Sequence, residues 1–300
     1  MTLNHDVDIM MIGHFAKDRL VVDGRAEFAS GGAVYYGSVA LRHLGLRVAI
    51  VTRLHPSDYP LLDELEQDGV HVVAAAAPVT SGIENIYSSA DMERRTCKLI
   101  DFAGPFQSKD IPELSARIYL VASIIAGEVD LPLLQALARR GPVALDVQGF
   151  VRVRNNGDLV FRQWPDMEEG LSCVSYLKVD RAEAELLTGL TDMAAAARRL
   201  TEYGPREVIV TQSSGVTVLA NGDLYQAPFT PKSLDGRTGR GDTCFATYLG
   251  RRLSSPPEEA TRLAAAVTTL KQENPGPWRG DLADVEEWMG SWINDKRTDE

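Results

Sequence analysis

The sequence predicts an α/β protein: a doubly wound, mostly parallel sheet carrying a small β-lid. Three observations lead there. Short apolar runs alternate with helix-period segments along most of the chain, the signature of a parallel sheet covered on both faces. The helical segments close on glycine, which readily takes the left-handed conformation that ends a helix. The composition, 44% hydrophobic and 24% charged over 300 residues, supplies a large core and excludes disorder as the default.

Taken in order, the first run is Val7 to Gly13, apolar and ending in glycine. Runs of the same kind recur at Val48 to Leu54, Ile118 to Ala122, Val143 to Val147 and Val208 to Thr211, and all read as buried strands. Between them, Ala33 to Leu44, Tyr59 to Gln67, Leu131 to Arg140 and Asp192 to Tyr203 read as helices, closed by Gly45, Gly69, Gly141 and Gly204. Val216 to Gln226 differs, because two alternating runs flank Asn221-Gly222. That dipeptide is the strongest short hairpin signal, so an antiparallel edge is expected beside the parallel strands. Residues 18–30 and 82–102 break the rhythm with alternating patterns such as Ile86-Tyr-Ser-Ser. They are expected to pair as a lid inserted in one domain spanning 1–300, although a hairpin insertion remote from any site fits the same pattern.

A formal net charge of -11 argues against nucleic acid or anionic lipid as a partner, since both need a basic face. No apolar run reaches membrane-spanning length, and the N-terminus lacks a basic region followed by an apolar core, so a cytoplasmic protein is expected. Cys97, Cys173 and Cys244 are odd in number and widely spaced, which disfavours a disulfide framework or a zinc site. The five histidines form no pattern that puts two ligands on one helix face.

Against that acidic background, Leu234-Asp-Gly-Arg-Thr-Gly-Arg-Gly-Asp-Thr-Cys-Phe245 gathers three glycines and two arginines ahead of an apolar helical run. Gly239 and Gly241 allow backbone N–H groups to converge at a helix start, an anion site to which Arg237 and Arg240 add charge. Asp242 is the odd member. Beside a transferring phosphoryl group, a carboxylate can accept the proton of an attacking hydroxyl. Taken alone, an Asp that caps a helix after a glycine turn accounts for the same residues.

Ser30-Gly-Gly-Ala-Val-Tyr-Tyr-Gly-Ser-Val-Ala-Leu41 and Gly236-Arg-Thr-Gly-Arg-Gly-Asp-Thr-Cys-Phe245, about two hundred residues apart, together resemble the two signatures of the ribokinase-like, or PfkB, carbohydrate kinases. Asp180-Arg-Ala-Glu183, Thr211-Gln-Ser-Ser-Gly215 and Ala264-Ala-Ala-Val-Thr268 match intermediate landmarks in order, so the resemblance covers nearly the whole chain. It implies a ribokinase-like fold and an ATP- and Mg²⁺-dependent kinase acting on a hydroxyl of a sugar or cyclitol. Asp242 would be the base, and Gly239, Arg240 and Gly241 the anion hole. Asp18, Gly31, Gly32, Tyr36 and Asn85 would meet the acceptor. Asp180, Thr211, Ser213, Gly215, Arg237 and Thr238 would meet the nucleotide, with Asp180 and Glu183 organising Mg²⁺ through water.

Departures shape the expectation. Arg237 and Arg240 stand where many relatives have small or neutral residues, and Tyr36 replaces a sugar-contacting Asn. Asp146-Val-Gln-Gly-Phe-Val-Arg152 follows a buried strand, which makes Gln148 and Arg152 candidates to face phosphate and Asp146 to support the metal or base region, while a plain strand-end turn with an exposed Arg fits as well; with Asn274-Pro-Gly-Pro277 it adds a resemblance to an inositol-kinase-like subgroup. Most of Glu84, Tyr87, Arg94 and Arg95 read as solvated strand-face residues, with closure over the substrate as the other reading, and lids that pair between subunits leave a homodimer open. Two other readings stay in view: a nucleoside or phosphosugar kinase of the same fold, and a noncatalytic sugar-binding regulator.

Overall fold

The computed structural model describes residues 5–88 and 91–289, and side chains other than those of Val22 and 87–96. Two sheets organise it. The larger has nine strands in the order β15 (Asp223–Pro228), β14 (Gly215–Ala220), β13 (Glu207–Thr211), β12 (Tyr176–Asp180), β9 (Val143–Asp146), β8 (Ala116–Val121), β1 (Val7–Ile12), β4 (Val48–Leu54) and β5 (His71–Ala76). The seven from β13 to β5 are parallel. The edge pair β14 and β15 is antiparallel, joined as expected by Asn221 and Gly222 with φ of 54° and 88°.

The second sheet has the order β10 (Arg152–Asn155), β11 (Asp158–Phe161), β7 (Asp91–Asp101), β6 (Gly82–Ser88), β2 (Ala16–Val22) and β3 (Arg25–Gly31). Both segments that break the α/β rhythm thus fall in one sheet. β10 and β11 join it from between two strands of the larger sheet, an addition their short polar sequences did not announce.

Residues of the central strand β1 alternate between two cores. Ile9 and Met11 pack with the helices Ala33–His43, Arg240–Arg252 and Pro257–Gln272. Met10 and Ile12 pack with Leu131–Arg140, Arg181–Thr188 and Met193–Thr201. Burial on both faces is why these strands read as predominantly apolar runs. The chain adds strands on one side of β1 (β4, β5) and then returns to add them on the other (β8, β9, β12, β13), so the order reverses between β1 and β8. In open α/β sheets ligands bind beyond the carboxyl ends of the strands at such a reversal. The helix expected at Tyr59 to Gln67 is split: residues 56–62 form a 3₁₀ helix (Pro56–Leu62), where Pro60 cannot donate to an α-helical ladder, and α-helix follows only at Asp63–Gln67.

Buried polar contacts tie the two sheets together where β1 ends. A Cβ on Gly13 would lie 2.3 Å from the Ala122 carbonyl oxygen, so only glycine permits this approach. The fully buried Glu128 accepts N–H bonds from Ile124 and Ile125 on Oε1, each at 2.8 Å, and from His14 on Oε2 at 2.9 Å. Burial pushes its carboxyl up to about 7, against these three donors. The His14 ring donates from Nε2 to the Gly104 carbonyl at 2.9 Å and accepts on Nδ1 from Ser81 Oγ at 2.7 Å, a tautomer assigned from its partners. Burial pulls this ring down to about 3, so it is neutral at physiological pH.

Among the described residues all three hydrogen-bond partners of the Glu128 carboxylate are donors, so the amide of a Glu128→Gln variant must turn its NH₂ toward one of them. A loss of about 1–3 kcal/mol is expected from the unmatched pair, read as a lower denaturant midpoint at unchanged slope.

Candidate active site

A cavity of about 290 Å³ opens beyond the carboxyl ends of β12 and β13, whose last residues, Asp180 and Thr211, line it. Among the helices that start at it, two start from glycine. Arg240–Arg252 has Gly239 as its N-cap, left-handed at φ 83° and ψ 8° and with no side-chain cap bond. A Cβ on Gly239 would lie 2.3 Å from Tyr36 Cγ, so this turn rests on the Tyr36 ring. Tyr36 belongs to Ala33–His43, which starts from Gly32 at φ 91°. The first N–H groups of a helix lack intrahelical acceptors and carry its positive end. The glycine turn can therefore present backbone donors to an anion, with Arg237, Thr238 and Arg240 lining the same wall and Asp242 in the first turn of the helix.

Opposite in character is the Asp18 region. Asp18 is 8% exposed, and its Oδ1 accepts the Ile83 N–H at 2.9 Å. Gly31 leaves it room, since a Cβ there would lie 2.4 Å from Asp18 Oδ2. Asn85 is buried beside it on β6, and its Oδ1 accepts the Cys97 thiol at 3.3 Å. With Gly32, Tyr36 and the apolar Ile83 and Ile124, these groups can hold hydroxyls by hydrogen bonds and a ring by its carbon face.

The structure thus brings twelve of the sequence-predicted residues to one cavity: Asp18, Gly32, Tyr36, Asn85, Asp180, Thr211 and all six from Arg237 to Asp242. Four do not line it. Gly31 lies behind Asp18, and Ser213 is exposed in the turn after β13. Gly215 packs on strand β15, with a Cβ position 2.5 Å from the Ala227 carbonyl oxygen, and Glu183 is fully buried. Tyr87, Arg94 and Arg95 lie outside the described side chains.

Sequence reasoning missed Lys178. It sits in the middle of β12, and its Nζ donates to both Asp146 oxygens at 3.1 and 3.0 Å, with Glu183 Oε2 at 3.9 Å. A Cβ on Gly241 would lie 3.5 Å from that Nζ, so the ammonium lies close beneath the start of the anion turn. Burial works against its charge, but Asp146, Glu183, Asp180 and Asp242 together outweigh burial and raise the Lys178 pKa. The available signal was a lysine inside the apolar run Tyr176-Leu-Lys-Val-Asp180, where an unpaired charge would be costly. Gln148 and Arg152, unlike Lys178, were candidates in the sequence, and both line the cavity, the Arg152 Nη2 donating to Gln148 Oε1 at 2.8 Å.

Asp180 and Glu183 form a capping box: Glu183 N–H donates to Asp180 Oδ1 at 2.8 Å, and Asp180 N–H to Glu183 Oε2 at 2.7 Å. Glu183 Oε1 is buried with no hydrogen-bond partner. Burial raises the Glu183 carboxyl, with Lys178 pulling the other way. Among the described residues no cluster of three His, Cys, Asp or Glu could hold a metal alone. An orphaned carboxylate oxygen close to Asp180 instead fits Mg²⁺, which keeps several waters and takes few protein ligands beside donor phosphates.

A cavity that joins a glycine-turn anion cradle to buried acceptors for hydroxyls defines a class, the small-molecule kinases, which move a phosphoryl group to an alcohol. The chain belongs to the pfkB family of carbohydrate kinases, matched over residues 1–279. It is 37% identical, at a TM-score of 0.86, to a pyrophosphate-dependent kinase of the ribokinase family solved with a pyrophosphate analogue and myo-inositol, over 93% of this chain and 99% of that one. Cytidine kinase of Thermococcus kodakarensis is 27% identical over 286 residues, 91% of this chain and 98% of its own length. Arabidopsis thaliana ribokinase, solved with ribose and ATP, shares the fold at a TM-score of 0.74 and 20% identity, over 94% and 98% of the two chains. The fold is therefore ribokinase-like and the protein a phosphotransferase with a hydroxyl acceptor. Among the described residues no helix is long and apolar enough to cross a membrane.

The two glycines of the turn should respond differently to alanine. Gly239→Ala puts a Cβ into the Tyr36 ring at a left-handed φ and is expected to lower kcat at least about 100-fold, the scale of a lost anion-hole donor. Gly241→Ala meets nothing closer than 3.4 Å inside a regular helix, and kcat should stay within about threefold. Steady-state kinetics on the two folded variants reads the contrast.

Proposed function

We propose that this protein transfers a phosphoryl group from a short phosphate donor to a ring hydroxyl of a cyclitol of the myo-inositol type. One observation carries the reading: the Gly239–Asp242 turn and the Asp18–Asn85 pair line the same cavity. Asp18 and Asn85 orient the hydroxyls, and Ile83 and Ile124 meet the ring carbons. Asp242 takes the proton as the acceptor oxygen attacks phosphorus and the bond to the bridging oxygen of the donor breaks. The N–H groups of the turn, with Arg240, stabilise charge on the transferring group. Mg²⁺ would neutralise the donor phosphates, with Asp180 and Glu183 holding its waters.

The donor expected from the family resemblance is ATP. Two observations support pyrophosphate ahead of it. Four cations line the cavity, Arg152, Lys178, Arg237 and Arg240, while Ser213 and Gly215, the residues expected to approach a nucleotide, lie outside it. The 37% identical kinase described above is pyrophosphate-dependent. The cytidine kinase similarity favours a nucleoside as the second acceptor class.

The test is ³¹P NMR of product formation with Mg²⁺ and either pyrophosphate or ATP, offered myo-inositol, ribose, sugar phosphates and cytidine. A cyclitol monophosphate formed from pyrophosphate is expected, with turnover about 10²–10⁴-fold lower in Asp242→Asn and donor binding retained. Product from ATP alone returns the donor to the nucleotide, and a cytidine product replaces the acceptor. Cyclitol binding with no transfer from either donor would make the protein a noncatalytic sugar-binding regulator.

A further inference from the structure

Lys271 has no task in the reaction outlined above, yet it is one of the largest fully buried side chains, 1% exposed in the last turn of Pro257–Gln272. Its Nζ donates to the Gly236 carbonyl, lies 3.5 Å from the Asn274 carbonyl oxygen, and stands 5.2 Å from the centre of the Tyr36 ring. Two carbonyl oxygens and an aromatic face all turn negative charge toward one point, as around a bound cation. Burial pulls the ammonium down to about 8, and Asp242 opposes that pull, so the group is charged at neutral pH.

These partners belong to the anion turn. Gly236 opens the segment that reaches Gly239 three residues later, and its N–H donates to the Gln272 carbonyl at 2.8 Å. The approach is so close that a Cβ on Gly236 would lie 1.7 Å from the Asn274 carbonyl oxygen. Tyr36 is the ring on which Gly239 rests. One buried charge thus grips both the start of the turn and the surface beneath it.

We infer that Lys271 is a positioning residue for phosphoryl transfer, its ammonium an internal cation that pins the Gly236 carbonyl and the Tyr36 ring so that the Gly239 and Gly241 N–H groups converge on the anion. This rests on the reading above that the turn holds the transferring phosphoryl group. A lysine that merely stabilised the fold would affect melting and leave the turn's chemistry alone.

The full chain is tested as Lys271→Met, which keeps volume and removes charge, and as Lys271→Ala. Expected are a loss in kcat of at least about 30-fold in both, an acceptor KM within about threefold, and at least about tenfold weaker binding of inorganic pyrophosphate with Mg²⁺ by calorimetry. Ammonium chloride is expected to restore pyrophosphate binding and turnover in Lys271→Ala, and sodium chloride at equal ionic strength to leave both low. Wild-type kcat and pyrophosphate binding in a folded Lys271→Met, or losses that ammonium does not reverse in Lys271→Ala, would overturn the inference. A wild type that turns over no donor and acceptor pair fails the functional reading instead, and the ammonium effect on pyrophosphate binding still decides the role of Lys271.

Discussion

The site depends on places where backbone must come closer than a side chain allows. Gly13 meets the Ala122 carbonyl, Gly32 the His14 carbonyl, Gly236 the Asn274 carbonyl and Gly239 the Tyr36 ring, all with Cβ positions under 2.5 Å from the neighbour. Each contact brings a strand end or a helix start to the cavity. Protein interiors are packed too densely to absorb such an overlap by small shifts, so these glycines act as spacers of zero thickness. Two of them, Gly32 and Gly239, also take left-handed φ, which adds a conformational reason to the steric one. Placing helix dipoles and N–H groups at one point follows from those contacts.

Electrostatics then divides the cavity from the rest of the molecule. The chain carries net charge -11, yet four cations line the cavity against three carboxylates, Asp18, Asp180 and Asp242. An anionic ligand is therefore attracted locally and repelled generally, which favours small anions over polyanions that need a broad basic face. Lys178 shows how such charge is kept in a dry place. Its ammonium is gripped by both oxygens of Asp146 and faces Glu183, and removing the lysine would leave the buried Asp146 carboxylate without its counter-charge.

Much of this was legible in the sequence, for identifiable reasons. The apolar runs at Val7, Val48, Val143 and Val208 became parallel strands because burial on both faces keeps polar residues few and mostly at the strand ends. Asn221-Gly222 became a hairpin because its turn needs two positive φ values. The segment from Arg237 to Asp242 lines the cavity because its glycines have few other uses at a helix start. What escaped had weaker local signatures. Strand β5, His71-Val-Val-Ala-Ala-Ala76, is a half-exposed edge whose alanines suit a helix as well. Strand β12 carries Lys178 in its centre, and that lysine hides the apolar run until its partners, 32 residues back and five residues on, are known. Lys271 likewise looks like a surface residue of a helix, and only the fold closes Gly236 and Asn274 over it. Ser213 and Gly215 were near the site in sequence but turned away in space, since the β14–β15 pairing claims Gly215.

The way the second sheet is anchored has a mechanical corollary. Arg152 is at once a cavity residue and the first residue of β10, and β10 reaches the rest of that sheet only through β11 and its pairing with β7. The Gly157 carbonyl between β10 and β11 accepts the Leu99 N–H at 3.0 Å, close to the Cys97 that meets Asn85. Continuous backbone pairing thus links the guanidinium that lines one wall of the cavity to the Asp18–Asn85 wall, so a single ladder sets the spacing of the two walls.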